Sequence, residues 1–403
     1  MKESVVVTGM GIVSSIGLNL EETLQSLMAG RTGIGKITIL DTIHRDEFVL
    51  GEIKLTLQEL KEQLGVNSLL PWTRTALLGV WAAREAYKSA GLSVDSGKRI
   101  GIVSASTVGG MDRSELYYKD FLTEALHSNH IDTHHAGNST EMIADDLKIK
   151  DYLTTISTAC SSSLNSIMLG ARLLQHNLLD AVLVGGTDAL SIFTLNGFNT
   201  LMILDREHCR PFDASRRGLN LGEGAGFLVL EKASDAKNKN IMAQVSGFAN
   251  ANDAFHQTAS SDNGEGPYLA MKRAIDKAGL HTDDIDYINV HGTGTDNNDL
   301  TEGIAMIRLF GEKLPPFSST KAFTGHTLGA AGVIESIIAI LSMNNSKIFP
   351  NINFRNAIEE TGLIPVDKLT EHNMNHVLTN SFGFGGNDSS VVFSNGNLNQ
   401  QIR

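Results

Sequence analysis

Two stretches of the chain follow one plan: Thr154–Leu174 and Pro316–Leu341 each run from a strand-like segment through a turn of small residues into an apolar helix. A strand that feeds a buried helix directly has few stable homes, because both elements must cover their apolar faces against other layers. Repetition of the unit predicts two halves of like construction. Short runs rich in Val and Ile read as buried strands: Val5–Thr8, Gly101–Ser106, Thr154–Thr158, Ala181–Val184, Phe227–Leu230, Tyr287–Val290 and Val391–Phe393. Helical periods lie between them, such as Tyr268, Met271, Ile275 and Ala278 along Gly266–Ala278. This alternation predicts an α/β fold. The polar run Ser234–Asn240 is the boundary candidate, dividing residues 1–240 from 241–403. The polar tail Asn395–Arg403 has no apolar period and is expected to fray.

Cys160 sits at the bend of the first unit, in Ser157-Thr158-Ala159-Cys160-Ser161-Ser162-Ser163. The free N–H groups and dipole of a helix N-terminus favour thiolate, the form that attacks a carbonyl carbon. On this segment alone, an inert buried cysteine is the competing reading. Two histidines occupy glycine-rich turns, His291 in HGTGT and His326 in GHTLGAAG. Glycine lets the backbone approach a bound group, and imidazole donors there could stabilise an enolate oxygen. Zinc held by Cys160, His291 and His326 is the rival chemistry. Their sequence separation and the missing fourth ligand disfavour it, so no metal is expected. His134, His135, His176 and His208 are structural or surface residues by default. Gly9 and Gly11 mimic a dinucleotide fingerprint but lack its third glycine and distal acid; a tight structural turn is expected, and no cofactor.

The formal charge of −12 excludes a general nucleic-acid binder, which needs a basic surface. Two cysteines, Cys160 and Cys209, are too few for a disulfide framework and suit a reducing compartment. No signal-like segment precedes Val5. The most apolar helix, Gly332–Met343, is interrupted by Glu335, Ser336 and Ser342 and falls short of the ~20 residues a membrane span needs. A cytoplasmic protein without membrane insertion is expected.

VVVTGMG at Val5, TACSSS around Cys160, Arg210-Pro211-Phe212-Asp213, GEGAG at Gly222, HGTGT, STKAFTGHTLGAAG and NSFGFGG at Asn380 occur in order. Together they resemble the β-ketoacyl-acyl carrier protein synthase family, in particular its elongating members with a Cys-His-His centre, over nearly the whole chain. The resemblance implies a thiolase-like fold of two pseudo-symmetric βαβαβαββ halves in five layers (αβαβα), a homodimer, and acyl carrier protein as partner. It implies that Cys160 accepts the acyl chain, with an oxyanion hole from the N–H groups of Cys160 and Phe384. His291 and His326 would hold the malonyl thioester, with Lys321 and Glu335 as supporting charges. Phe384 would gate the acyl pocket, with Asp253 and His256 in a facing loop. Val108, Ile192, Phe193, Phe198 and Met202 are pocket candidates, with Thr293 and Thr295 beside the substrate. Fatty-acid elongation is the leading expectation, and a dedicated polyketide or aryl-polyene pathway, or a subunit of a heterodimer, the alternative.

The family commonly carries Arg-Asp-Gly-Phe-Val before GEGAG, whereas this chain has Arg216-Arg217-Gly218-Leu219-Asn220. The basic cluster expected near residues 60–75 for carrier docking is thin, with Lys61 and Arg74 standing apart. A thiolase would need a second cysteine near the C-terminus, and initiating enzymes usually replace one histidine by Asn. Chain-length partners typically lack the nucleophile, which this chain retains.

Overall fold

The computed structural model describes residues 3–124 and 127–396. Ten strands share one hydrogen-bonded sheet, and the pairing pattern repeats. In the first half Val5–Ser14 pairs antiparallel with Gly224–Lys232, which pairs antiparallel with Ala181–Asp188; Ile100–Ala105 and then Tyr152–Ile156 follow in parallel. In the second, Ala243–Asn252, Asn387–Ser394, His376–Gly383, Tyr287–Asn289 and Phe317–Ser318 pair with the same sequence of directions. The halves join where Val5–Val7 pairs with Ala243–Val245, so hydrogen bonding runs through both.

The two apolar helices expected from the repeated unit form the middle layer. Ser162–Gln175 and Ala331–Asn345 touch each other and strands of both halves. Arg74–Ser89 covers the outer face of the first half, and Glu265–Ala278 that of the second. This is the expected five-layer thiolase-like arrangement. Its largest core cluster draws on both halves, with Val5, Leu164 and Leu228 meeting Ile337, Val377 and Val391. Among the described residues one helical stretch, Leu328–Asn345, is long and apolar enough to cross a membrane; 89% of it is buried, which makes it a core helix.

Two local expectations are corrected. Gly9 and Gly11 do not form a turn: both lie within the Val5–Ser14 strand, next to a register shift between Val7 and Gly9. A Cβ would lie 2.3 Å from Ala86 O at Gly9 and 2.1 Å from Ala82 O at Gly11, so glycine there lets the covering helix reach the strand. Asn395 is held by an N–H donated to Asn375 O at 2.8 Å, and Gly396 is buried against Ile241; the rest of the tail lies outside the described residues.

Candidate active site

The Tyr152–Ile156 strand ends four residues before Cys160, which lies just ahead of the Ser162–Gln175 helix. Ala159 takes a left-handed φ of 52°, a conformation that non-glycine residues adopt only where surrounding contacts hold it. Three hydroxyls supply such contacts: Ser161 Oγ donates to Thr158 O, Ser162 Oγ to Ala159 O, and Ser381 Oγ to Cys160 O at 2.8 Å. Gly383 approaches so closely that a Cβ would sit 3.0 Å from Cys160 N.

The two histidines arrive from the other half. Glu302, buried on the Asp296–Phe310 helix, accepts the N–H groups of His291 and Gly292 at 2.9 and 2.8 Å; Asp299, one turn earlier, accepts that of Gly294. His326 donates its N–H to Asn220 O at 2.7 Å and accepts from Gly222 N at 2.9 Å, so GEGAG grips the second histidine turn. Asp188 ties that turn to the pocket wall: it accepts from Gly329 N, Thr107 N, Thr107 Oγ1 and Ser106 Oγ. Sequence reading missed Glu302, Asp299 and Asp188. The acids at i and i+3 on a largely buried helix were the available signal for the first two.

His326 Nε2 lies 3.0 Å from Cys160 Sγ, and the His291 and His326 rings meet edge to face at 5.3 Å. All three ligand-capable atoms of Cys160, His291 and His326 fall within 4.8 Å, so sequence distance was no argument against a metal. The better argument is charge. Lys321 acts electrostatically on all three groups, and a cation would meet that ammonium with no fourth donor grouped beside the three among the described residues. Lys321 is buried, donating to Glu335 Oε1, to His291 O at 2.5 Å and to His291 Nδ1 at 3.2 Å. Burial, with Lys321 adding to it, holds both histidines well below the usual imidazole range, so they are neutral. Burial pushes Glu335 up to about 7 against the pull of Lys321.

The expected thiolate is corrected. Burial pushes Cys160 up to about 12; Lys321 and the N–H groups of Cys160 and Phe384 oppose this without offsetting it. The Cys160 side chain therefore rests as a thiol, with the N–H groups of Cys160 and Phe384, the donors of the expected oxyanion hole, directed at its sulfur.

Two cavities meet at Cys160. One of about 250 Å³ is lined by His291, His326, Thr293 and Thr295; the other, of about 420 Å³, is apolar and lined by Val108, Phe193, Phe198, Met111 and Leu201. Phe384 lines both and stacks on Phe198 at 6.0 Å, the position a gate requires. Ile192 lines neither, and Met202 lines the smaller cavity, so these two pocket expectations are corrected. Asp253 and His256 also stay outside both cavity walls: Asp253 accepts from Ser261 N behind the Gly385–Gly386 turn, and His256 is exposed. The facing loop instead meets the backbone of Gly385, next to Phe384, through Gln257 O, which accepts its N–H, and Asn252 Nδ2, which donates to its carbonyl. Arg74 is no docking base, because it is buried in a bidentate pair with Glu223.

Comparison with known proteins agrees with this arrangement. Residues 2–236 match the N-terminal domain of β-ketoacyl synthases and residues 242–355 the C-terminal domain. A 3-oxoacyl-[acyl-carrier-protein] synthase 2 of Staphylococcus aureus (strain COL) is 34% identical, covering 96% of this chain and 97% of that relative. The ishigamide ketosynthase/chain length factor structure superposes with a TM-score of 0.93 at 32% identity, over 98% of this chain and 100% of the other. A ketosynthase from Xenorhabdus doucetiae, in complex with its chain length factor, gives 0.85 at 27% identity over 98% of each chain. With the cysteine and both histidines gathered at the junction of two cavities, the chain belongs to the β-ketoacyl synthase family, whose members are acyltransferases that carry out condensation.

Proposed function

We propose that this chain elongates carrier-bound acyl groups by decarboxylative condensation, with Cys160 as nucleophile. Cys160 attacks the acyl-carrier thioester, the carrier sulfur leaves with the thiol's proton, and the acyl chain occupies the apolar cavity. Malonyl carrier then enters on the histidine side. Loss of carbon dioxide leaves an enolate whose oxygen is stabilised by N–H groups of His291 and His326. Its carbon attacks acyl-Cys160, giving a 3-oxoacyl carrier and free Cys160. The observation that carries the reading is the junction of one apolar and one histidine-lined cavity at a single sulfur.

Fatty-acid elongation is the pathway favoured by the 34% identity to the Staphylococcus aureus synthase. Polyketide elongation beside a chain length factor is a second reading, favoured by the structural likeness to the ishigamide ketosynthase/chain length factor. A homodimer suits the first and a heterodimer the second; in either, the edge strand Tyr152–Ile156 and exposed Phe193 and Leu116 offer the surface to cover. The buried free thiols suit a reducing cytoplasm. Intact mass after incubation with acyl-carrier thioesters tests the chemistry. An adduct on Cys160 that is consumed when malonyl carrier is added supports it; an adduct left unchanged by malonyl carrier contradicts it.

A further inference from the structure

The segment Arg216–Asn220, where this chain departs from its family's usual sequence, is fixed to both histidine turns. Arg216 donates to Thr295 O and Asp296 O, Gly218 N donates to Gly294 O at 2.9 Å, and Asn220 O accepts from His326 N at 2.7 Å. Gly218 has φ 150°, and a Cβ there would lie 2.4 Å from Ile203 O, so the backbone at this point is closely confined. Asn220 turns inward, its side chain accepting from Cys209 N and donating to Asp205 O. Of the three polar residues, Arg216 and Asn220 are therefore consumed in holding the loop.

Arg217 is not. It is exposed, lines the cavity that contains Cys160, His291 and His326, and makes no hydrogen bond or ion pair among the described residues. The nearby rim acid, Asp296, faces Arg216 at 3.8 Å. The rest of the rim offers neutral polar groups such as Thr258, Ser260 and Asn297. A guanidinium without a partner, presented by a pinned loop at the mouth of a thioester-binding cavity, is suited to bidentate capture of a phosphate.

We propose that Arg217 anchors the phosphodiester of the pantetheine arm that carries the thioester, and so selects phosphate-bearing donors at the histidine-side cavity. The proposal rests on the condensing reading. It commits to the arm's phosphate rather than to an acidic residue on the carrier's surface.

Binding and turnover separate these possibilities. The unaltered protein is expected to bind 4′-phosphopantetheine about tenfold more tightly than pantetheine, a difference of about 1.4 kcal/mol. Arg217→Ala should erase that preference and Arg217→Lys keep part of it. In turnover, Arg217→Ala should lower the ratio of kcat/KM for malonyl carrier to that for malonyl-N-acetylcysteamine by a similar factor, chiefly through KM. Equal affinity of the unaltered protein for the two pantetheines overturns the proposal. So does a variant that loses affinity for the carrier while keeping the phosphate preference, since the contact would then be with the carrier's surface. Absence of condensation with the phosphate preference intact counts against the condensing reading alone.

Discussion

His326 Nε2 lies 3.0 Å from Cys160 Sγ while its Nδ1 accepts the Leu328 N–H at 3.2 Å. Because Leu328 claims the Nδ1 lone pair, the ring proton belongs on Nε2 and is donated toward the sulfur. His326 is thus arranged as a donor rather than as a base for the thiol. His326→Ala should still form acyl-Cys160, while condensation falls by about 10²–10³-fold, the usual scale for losing an oxyanion donor. Intact mass reads the first step and product formation the second. Equal loss of both would contradict the donor role. Cys160→Ala should abolish the adduct, and Cys209→Ala, buried away from both cavities, should leave it.

Lys321 shares its ammonium between His291 and Glu335 with all three groups buried. Removing one member of a buried pair leaves a charge or carboxyl without compensation, typically costing about 3–5 kcal/mol. Lys321→Met should therefore lower Tm by many degrees. Adding Glu335→Gln should restore much of that stability, because the stranded carboxyl is gone. Condensation should not return, since His291 Nδ1 still lacks its donor. Recovery of turnover in the double variant would show that Lys321 serves folding alone.

How much of this was legible in the sequence depends on where each residue's partner lies. The strand-turn-helix units were readable because their apolar runs and small turns are local, and His291 and His326 stood out through the glycines beside them. Gly9 and Gly11 were misread because their reason is the Arg74–Ser89 helix, more than sixty residues away in the chain. Glu302 and Asp188 resemble ordinary acids until the N–H groups they accept are brought to them by folding. Asp253 and His256 were carried over by resemblance, whereas the hydrogen bonds from that loop to Gly385, the residue after Phe384, are made by their neighbours Asn252 and Gln257. For Cys160 the sequence offered both a helix terminus that favours thiolate and a buried cysteine as its rival, and only the tertiary structure shows that burial outweighs the terminus.

Gly197 lies within the Ile192–Thr200 helix and lines the apolar cavity, and a Cβ there would meet nothing within 4 Å. The space an acyl chain would use is therefore open at this position because the residue has no side chain. Gly197→Met should shift the preferred acyl donor to shorter chains, while the shortest donors retain near-normal rates. Replacing glycine inside a helix should also raise stability by about 0.5–1 kcal/mol. Competition between donors of graded length checks the shift; an unchanged length profile would remove Gly197 from the pocket's determinants.

Asp388 is fully buried with both carboxyl oxygens unpartnered, and burial together with Asp253 and Glu302 pushes it up to about 8. Gly266 leaves room for it: a Cβ there would lie 1.9 Å from Asp388 Oδ2 and 3.2 Å from Asp253 Cβ. A carboxyl raised in the folded state makes its full contribution only below its unfolded value, near 4. Stability is then lost as pH rises from about 4 to about 8, because the unfolded chain releases the proton first. Asp388→Asn removes that linkage without changing size. Its Tm should differ little from the parent near pH 4, rise above it with increasing pH, and level off in advantage above about pH 8, where both parent states are ionised. Thermal melts across pH 4–9 measure this directly. An advantage that shrinks as pH rises would mean that Asp388 is ionised and compensated in the folded protein.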